Sequence, residues 1–193
     1  MRISFFEEFP TPKNLEKVAL LLFPSTVYLA APSVARFNEV RETLQGLNPR
    51  IEAAYWPILA KSYWVSPFCD SEELRILLGE LQAPHNAKRV LIDLEIPVLS
   101  KGQVLRNLGS FHSNKKMIQM MFSSAGNGVV TAEYPSLGDS SQGFLESLGL
   151  SVPMARFRHT KTVMFYTTFI KHYDVQDTIK RQIIRLHRQY GGC

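Results

Sequence analysis

The 193-residue sequence has few of the features that mark secreted, metal-binding or membrane proteins. Its only two cysteines, Cys69 and Cys193, are too few for a disulfide framework and indicate a reducing compartment such as the cytoplasm. The longest apolar run, residues 18–23, is far shorter than a membrane span, and Glu7 and Glu8 interrupt any N-terminal signal-peptide core. We therefore expect a soluble, cytoplasmic protein with no membrane partner.

Motifs for nucleotides, metals and nucleic acids are also missing. Neither a G-x-G-x-x-G fingerprint nor a P-loop occurs, which argues against a nucleotide-binding sheet. The five histidines show no His-x-His or His-x-x-x-His spacing, so the sequence predicts no histidine-based metal site, and we expect no cofactor. The net charge of +5 is not accompanied by interleaved basic and aromatic residues, so nucleic acid is not an expected partner.

The composition, 45% hydrophobic and 20% charged, suits one compact domain over residues 1–193. Strand-like apolar segments alternate with segments of helical periodicity. Predicted strands cover residues 3–9, 26–31, 51–59, 89–96, 128–134 and 162–170. Predicted helices cover residues 14–23, 34–47, 72–81, 117–122, 140–148 and 175–190.

This alternation predicts an α/β fold with parallel strands joined by helical crossovers. Two architectures remain open, a doubly wound open sheet and a (β/α) barrel. We favour the barrel because polar or aromatic residues end most strands, and barrels carry their function at that rim.

A full barrel needs eight units and typically about 250 residues, whereas this sequence provides six units. We therefore predict an incomplete, TIM-barrel-like domain. Either another chain, such as a second copy in a homo-oligomer, covers its open edges or the isolated protein is poorly stable.

The most informative stretch is residues 90–97 (VLIDLEIP), an apolar run that carries two carboxylates before a proline. Side chains alternate faces along a strand, so Asp93 and Glu95 share one face. Two carboxylates at the end of a doubly buried strand are costly unless they are paired or used. Glu133 ends the next predicted strand, and we expect it to place a third acid around the same pocket.

Glu95 is a candidate general acid. Its apolar surroundings would raise its pKa, while Asp93 beside it stays ionised and holds it in place. The structural alternative is a carboxylate that pairs with an arginine or with a backbone amide.

Aromatic residues crowd the ends of predicted strands three and five and the loop after strand three. Such rings stack on the apolar faces of sugars, which favours a carbohydrate or another small molecule as ligand. The alternative is that they close the mouth of the core with one polar end in water. The candidate substrate-binding residues are Tyr55, Trp56, Tyr63, Trp64 and Tyr134.

The Asp-Leu-Glu sequence at residues 93–95 ends a fourth predicted strand and resembles the D-x-E element of glycoside hydrolases that act on chitin-like and peptidoglycan sugars. This resemblance implies that Glu95 is the general acid and that Asp93 orients or stabilises it. The whole chain also resembles a group of glycosyl-hydrolase-like barrel proteins that carries no established activity. The segments that carry this second resemblance are residues 5–10 (FFEEFP), 54–57 (AYWP), 62–68 (SYWVSPF) and 131–135 (TAEYP).

Three functions remain open from the sequence. The leading hypothesis is a glycoside-hydrolase-like protein that acts on or binds a carbohydrate, with Glu95 as the acid, Asp93 as its partner and Glu133 as a second carboxylate. The second is a non-catalytic, truncated barrel that binds a ligand or serves as a subunit. The third is a metal-dependent hydrolase or isomerase, in which carboxylate oxygens hold a divalent cation. The acids considered for that cation are Glu7 or Glu8, Glu52, Asp93 and Glu133.

Overall fold

The computed structural model describes residues 4–83, 89–95, 101–124, 128–133, 139–153 and 159–163, together with helical positions 177, 180, 181 and 184. Within these residues the strands are β1 (Ser4–Glu7), β2 (Ser25–Ala31), β3 (Ile51–Pro57), β4 (Val90–Asp93), β5 (Val129–Glu133) and β6 (Thr160–Val163). The helices are α1 (Pro12–Ala19), α2 (Val34–Leu47), α3 (Ser71–Gln82), α4 (Lys101–Asn107), α5 (Phe111–Ser124) and α6 (Asp139–Ser147). A short 3-10 helix, Leu108–Ser110, lies between α4 and α5.

The six strands form one sheet in the order β1-β2-β3-β4-β5-β6, and every neighbouring pair is parallel. Crossover connections between parallel strands have the same handedness, so this strand order keeps the helices on one face of the sheet. The sheet curls into a half-barrel. The predicted parallel α/β sheet in sequential order, with strand four inside it, is confirmed. A doubly wound sheet, in which the strand order reverses, does not form, and the described residues contain no seventh or eighth strand.

The two faces of the sheet bury different side chains. The convex face packs against the helices and holds the larger core, in which Phe37 and Leu74 from the helices meet Leu29, Tyr55 and Ile92 from the strands. Full burial of such side chains stabilises the fold by about 1.5–3 kcal/mol each. The concave face carries a smaller cluster that consists of Tyr28, Ala30, Ala54, Trp56, Leu91, Val130 and Ala132.

Several element boundaries differ from the predicted ones for local reasons. Helix α1 ends at Ala19 rather than at residue 23 because the Asn48 side chain donates hydrogen bonds to the carbonyls of Ala19 and Leu21, at 2.9 and 3.0 Å. Strand β3 ends at Pro57 rather than at residue 59 because Leu59 pairs antiparallel with Tyr63 instead.

Other differences lie in the second half of the chain. Helix α4, which is mostly polar, was not predicted, and the predicted helix at residues 117–122 is the middle of the longer α5. Strand β6 begins at Thr160 instead of residue 162, and residues 164–170 of its predicted span lie outside the described residues. No helix in the described part of the chain has the length and apolarity that a membrane crossing requires.

Candidate functional site

Asp93 and Glu95 lie at the carboxyl end of β4, and only 4% and 5% of their surfaces are exposed. Asp93 is in register with Ala132 of β5, which belongs to the concave-face cluster. The intervening Leu94 packs in the convex-face core. Side chains alternate along an extended chain, so the two acids share the concave face. The charge of Glu95 also acts on Asp93, in agreement with the predicted shared face.

The surroundings of Asp93 disfavour its ionised form. Burial, followed by the charges of Glu95 and Glu8, raises the pKa of Asp93 from 3.8 to about 8. Its Oδ1 atom makes no hydrogen bond with any other described residue. The prediction that Asp93 stays ionised is therefore wrong, because the carboxyl is taken out of water and lies close to two further acids. A neutral Asp93 carries a proton that it can donate to a neighbouring oxygen.

Glu8 extends the acid cluster from the end of β1. The Tyr63 hydroxyl donates a hydrogen bond to Glu8 Oε1. Burial first, and then the hydrogen bond and charge of Glu8 and the charge of Asp93, raise the pKa of Tyr63. The tyrosine therefore stays protonated and remains a donor. Glu8, Tyr63, Asp93 and Glu95 together form the site that we call the acid cluster.

The backbone holds Tyr63 in a strained conformation. Its φ angle of 64° lies in the left-handed region, which costs a residue with a side chain about 1–2 kcal/mol. Two backbone hydrogen bonds with Leu59, at 2.8 and 2.9 Å, fix this conformation. The loop after β3 thus keeps the Tyr63 hydroxyl directed at Glu8. Strain of this kind is often found at functional sites, where the surrounding structure maintains it.

The two neighbouring glutamates of the first strand have different roles. Glu7 Oε1 accepts hydrogen bonds from the Phe9 amide at 2.9 Å and from the Asn14 side chain at 3.3 Å, which ties it to the start of α1. Glu8 instead interacts electrostatically with Asp93. The sequence of so short a strand did not indicate which of Glu7 and Glu8 faces the inside of the barrel. Glu8 is the glutamate that joins the acid cluster.

An aromatic wall lines the concave face below the acid cluster. Phe6 stacks on Tyr28 with ring centroids 5.2 Å apart and meets Trp56 edge-on at 5.9 Å. Phe6 is 46% exposed, so this wall borders solvent. Phe6 and Tyr28 were not predicted as site residues. Side chains alternate faces along a strand, so Phe6 lies opposite Phe5 and Tyr28 lies opposite Val27. This two-residue period could have assigned Phe6 and Tyr28 to the concave face.

The other predicted aromatic residues are distributed differently. Tyr63, a member of the acid cluster, packs edge to face against Trp64, with ring centroids 5.3 Å apart. Tyr55 does not face the concave side, because it neighbours Trp56 in the strand and so points to the opposite face. There it packs on Phe37 of α2 and is fully buried. Tyr134 lies outside the described residues.

Glu133 does not join Asp93 and Glu95. Ala132, not Glu133, is the β5 partner of Asp93, so the Glu133 side chain points to the convex face. There its Oε2 lies 2.9 Å from Lys161 Nζ, and its Oε1 accepts a hydrogen bond from the Val152 amide at 3.1 Å. The predicted convergence of three acids around one pocket does not occur. Glu133 is half of a buried ion pair that connects β5 to β6.

The acids considered for a divalent cation are also scattered. Glu52 lies toward the amino end of β3, where it accepts a hydrogen bond from Thr26 and pairs with Arg89 at 3.2 Å. Glu7 and Glu133 have the separate partners described above. In the ranges that the structure describes, no group of three or more His, Cys, Asp or Glu residues is placed to hold a metal ion.

We expect Glu133→Gln to weaken the fold without affecting chemistry on the concave face. Glutamine keeps an oxygen for the Val152 amide but loses the charge that pairs with Lys161. A hydrogen bond to a charged group contributes about 2 kcal/mol, so the free energy of unfolding should fall by about that amount. Urea denaturation of Glu133→Gln, with exposed Glu39→Gln as the control, measures the effect. Equal stability of the two variants would contradict the structural role of Glu133.

Chemically, the acid cluster combines a neutral carboxyl, a second buried carboxyl and a tyrosine donor beside an aromatic wall. Such a set can bind a polyhydroxylated molecule and transfer a proton to it. It lies at the carboxyl ends of parallel strands, where α/β barrels carry their functional residues. In comparisons with known proteins, no protein-family model matches this chain, and the search of curated proteins found no significant match.

Proposed function

We propose that the concave face binds a carbohydrate and that Glu95 protonates the oxygen of a glycosidic bond, with Asp93 as its partner. The observation that carries this proposal is the burial of both carboxyls at the end of β4, where Asp93 and Glu95 are 4% and 5% exposed and where burial and the charge of Glu95 raise the pKa of Asp93. Two neighbouring carboxyls in a water-poor site cannot both ionise easily, so the pair retains a proton near neutral pH. General acid catalysis needs such a proton within reach of the leaving oxygen.

The aromatic wall supports a sugar as the ligand. Phe6, which is 46% exposed, presents its ring to solvent and lies against the buried rings of Tyr28 and Trp56. Pyranose rings have apolar C–H faces that pack on aromatic rings, while their hydroxyls need polar partners. The acid cluster supplies such partners in Glu8, Glu95 and the neutral Asp93. The resemblance of residues 93–95 to the D-x-E element agrees with the same assignment.

A second candidate function is carbohydrate binding without hydrolysis. A glycosidase that uses a carboxylate pair needs a second acid opposite the first, and Glu133 cannot supply it because it lies on the convex face. Among the residues that the structure describes, the other acid at this end of the concave face is Glu8, which is already hydrogen-bonded to Tyr63. This arrangement favours a protein that retains the sugar site of a hydrolase without its full chemistry.

Tryptophan fluorescence tests the binding site directly, because Trp56 and Trp64 are the only tryptophans in the sequence. We expect chitin oligosaccharides to change the emission saturably, whereas sorbitol, a polyol without a ring, should not. An aromatic stacking contact contributes about 0.5–1.5 kcal/mol. Phe6→Leu, which removes the exposed ring of the wall and keeps both tryptophans, should therefore weaken binding about threefold to tenfold.

Trp64→Phe is the control, since it leaves the concave-face wall intact. Cello-oligosaccharides and aryl glycosides extend the titration to other sugar classes, and release of reducing ends measures hydrolysis in the same samples. Binding without release of reducing ends would support the second candidate function. The absence of a saturable change with every sugar would contradict both candidates.

A further inference from the structure

A separate cavity of about 180 Å³ lies at the carboxyl end of β3, between the sheet and α3. Its walls are mainly apolar and include Pro57, Leu59, Ile76 and Leu77. Three polar residues, Tyr55, Glu73 and Glu80, also line it. A water molecule occupies roughly 30 Å³ in the liquid, so the cavity has room for a small organic molecule.

Two buried polar atoms of the lining residues have no hydrogen-bond partner within the described part of the chain. They are the hydroxyl oxygen of Tyr55, a fully buried residue, and Oε2 of Glu73. Buried polar atoms are rarely left without partners, and each such atom requires an explanation. Each of the two carboxylates also accepts one hydrogen bond from a backbone amide. Glu73 Oε1 accepts it from Lys61 at 2.8 Å, and Glu80 Oε2 accepts it from Val34 at 3.2 Å.

The charges around the cavity select the kind of ligand. Glu73 and Glu80 are both acidic, and no lysine, arginine or histidine is among the described residues that line the cavity. Burial, followed by the charge of Glu80, raises the pKa of Tyr55, so its hydroxyl stays neutral. A neutral hydroxyl beside a carboxylate can accept a hydrogen bond from a cation. Lys61 acts on Glu73 through its charge, but its ammonium group bonds to Asp70 Oδ2 at 2.9 Å and does not line the cavity.

We propose that this cavity binds a small organic ammonium ion, whose N–H groups donate to Glu73 Oε2 and to the Tyr55 hydroxyl oxygen. The apolar body of the ligand packs against Leu59, Ile76 and Leu77. Charge-assisted hydrogen bonds of this type are about twice as strong as neutral ones, which distinguishes an amine from an alcohol of the same shape. The site uses the convex side of β3, so it is distinct from the acid cluster on the concave face.

Calorimetric titration of the full chain with n-butylammonium, n-butanol and butyrate at constant ionic strength tests this proposal. These three probes have similar size and carry a positive, a neutral and a negative polar group. We expect saturable binding of butylammonium, binding of butanol weaker by about tenfold, and no binding of butyrate.

Glu73→Gln should weaken butylammonium binding about tenfold and remove the preference over butanol, while it retains an oxygen for the Lys61 amide. Glu72→Gln is the matched control, because Glu72 is exposed on the same helix and pairs with Arg75. Tyr55→Phe removes only the hydroxyl, so it provides a second variant if Glu73→Gln does not fold. Equal affinity for butylammonium and butanol, equal behaviour of the Glu73 and Glu72 variants, or no saturable heat with any probe would overturn the proposal.

Discussion

Replacing Glu95 by glutamine is expected to reduce glycoside hydrolysis by about 10²–10⁴-fold, the usual contribution of a general acid, and to leave sugar binding nearly unchanged. Glutamine has the size of glutamate and can still form hydrogen bonds, but it has no proton to transfer to the leaving oxygen. The value of kcat on the best substrate from the screen measures the loss, and the tryptophan signal measures binding in the same protein.

The leaving group provides a sharper form of this experiment. The dinitrophenolate group of a dinitrophenyl glycoside leaves without being protonated. The leaving sugar of an unactivated disaccharide needs a proton from the acid. We therefore expect the Glu95→Gln defect to be much smaller with the dinitrophenyl substrate. Asp93→Asn should lower the rate with both, because it changes the partner that orients Glu95. Glu133→Gln, at an acid outside the site, is the control and should retain the wild-type kcat.

Two results would remove Glu95 from the mechanism. The first is an active wild type whose Glu95→Gln variant retains full kcat on an unactivated substrate. The second is an equal loss with both classes of leaving group, since that pattern indicates disturbed binding rather than a missing proton. Glu8 would then become the acid to test, because it is the remaining carboxylate of the acid cluster that has not been varied.

The order and direction of the strands could be predicted because they follow from a regular pattern. Apolar strands alternate with helices, and strands that follow one another in the chain usually lie side by side in the sheet. The shared face of Asp93 and Glu95 was equally predictable, since it depends only on the two-residue period of one strand. Both conclusions rest on information that is local in the sequence.

The register between neighbouring strands does not follow from the sequence of either strand alone, and the prediction that Glu133 joins Asp93 and Glu95 depended on it and was wrong. A shift of one residue in register moves a side chain to the other face of a sheet. Asp93 pairs with Ala132, so Glu133 is directed away from it, although both acids end neighbouring strands. The inclusion of Tyr55 with Trp56 was a different error, because alternation along a single strand already separates them. The strained backbone of Tyr63, which brings its hydroxyl to Glu8, has no signal in the sequence.

The acid cluster should also make the protein less stable as the pH rises from about 4 to about 8. The pKa of Asp93 is 3.8 when exposed and about 8 in the folded protein, so in this range the folded state holds a proton that the unfolded state has released. Each pH unit then removes up to about 1.4 kcal/mol from the free energy of unfolding. Across the whole range the loss is on the order of 5 kcal/mol at most.

Asp93→Asn is expected to remove this pH dependence. Asparagine is neutral in both states, so the variant gains stability relative to the wild type as the pH rises and exceeds it most at pH 8 and above. Urea denaturation at a series of pH values provides the slopes. Asp70→Asn is the control, since the hydrogen bond from Lys61 lowers the pKa of Asp70 and this carboxyl is ionised in both states once the pH is well above 3.8. In the upper part of the range Asp70→Asn should therefore change stability by the same amount at each pH. If Asp93→Asn shows the wild-type slope, Asp93 is ionised in the folded protein, and the raised pKa of Asp93 no longer supports the proposed mechanism.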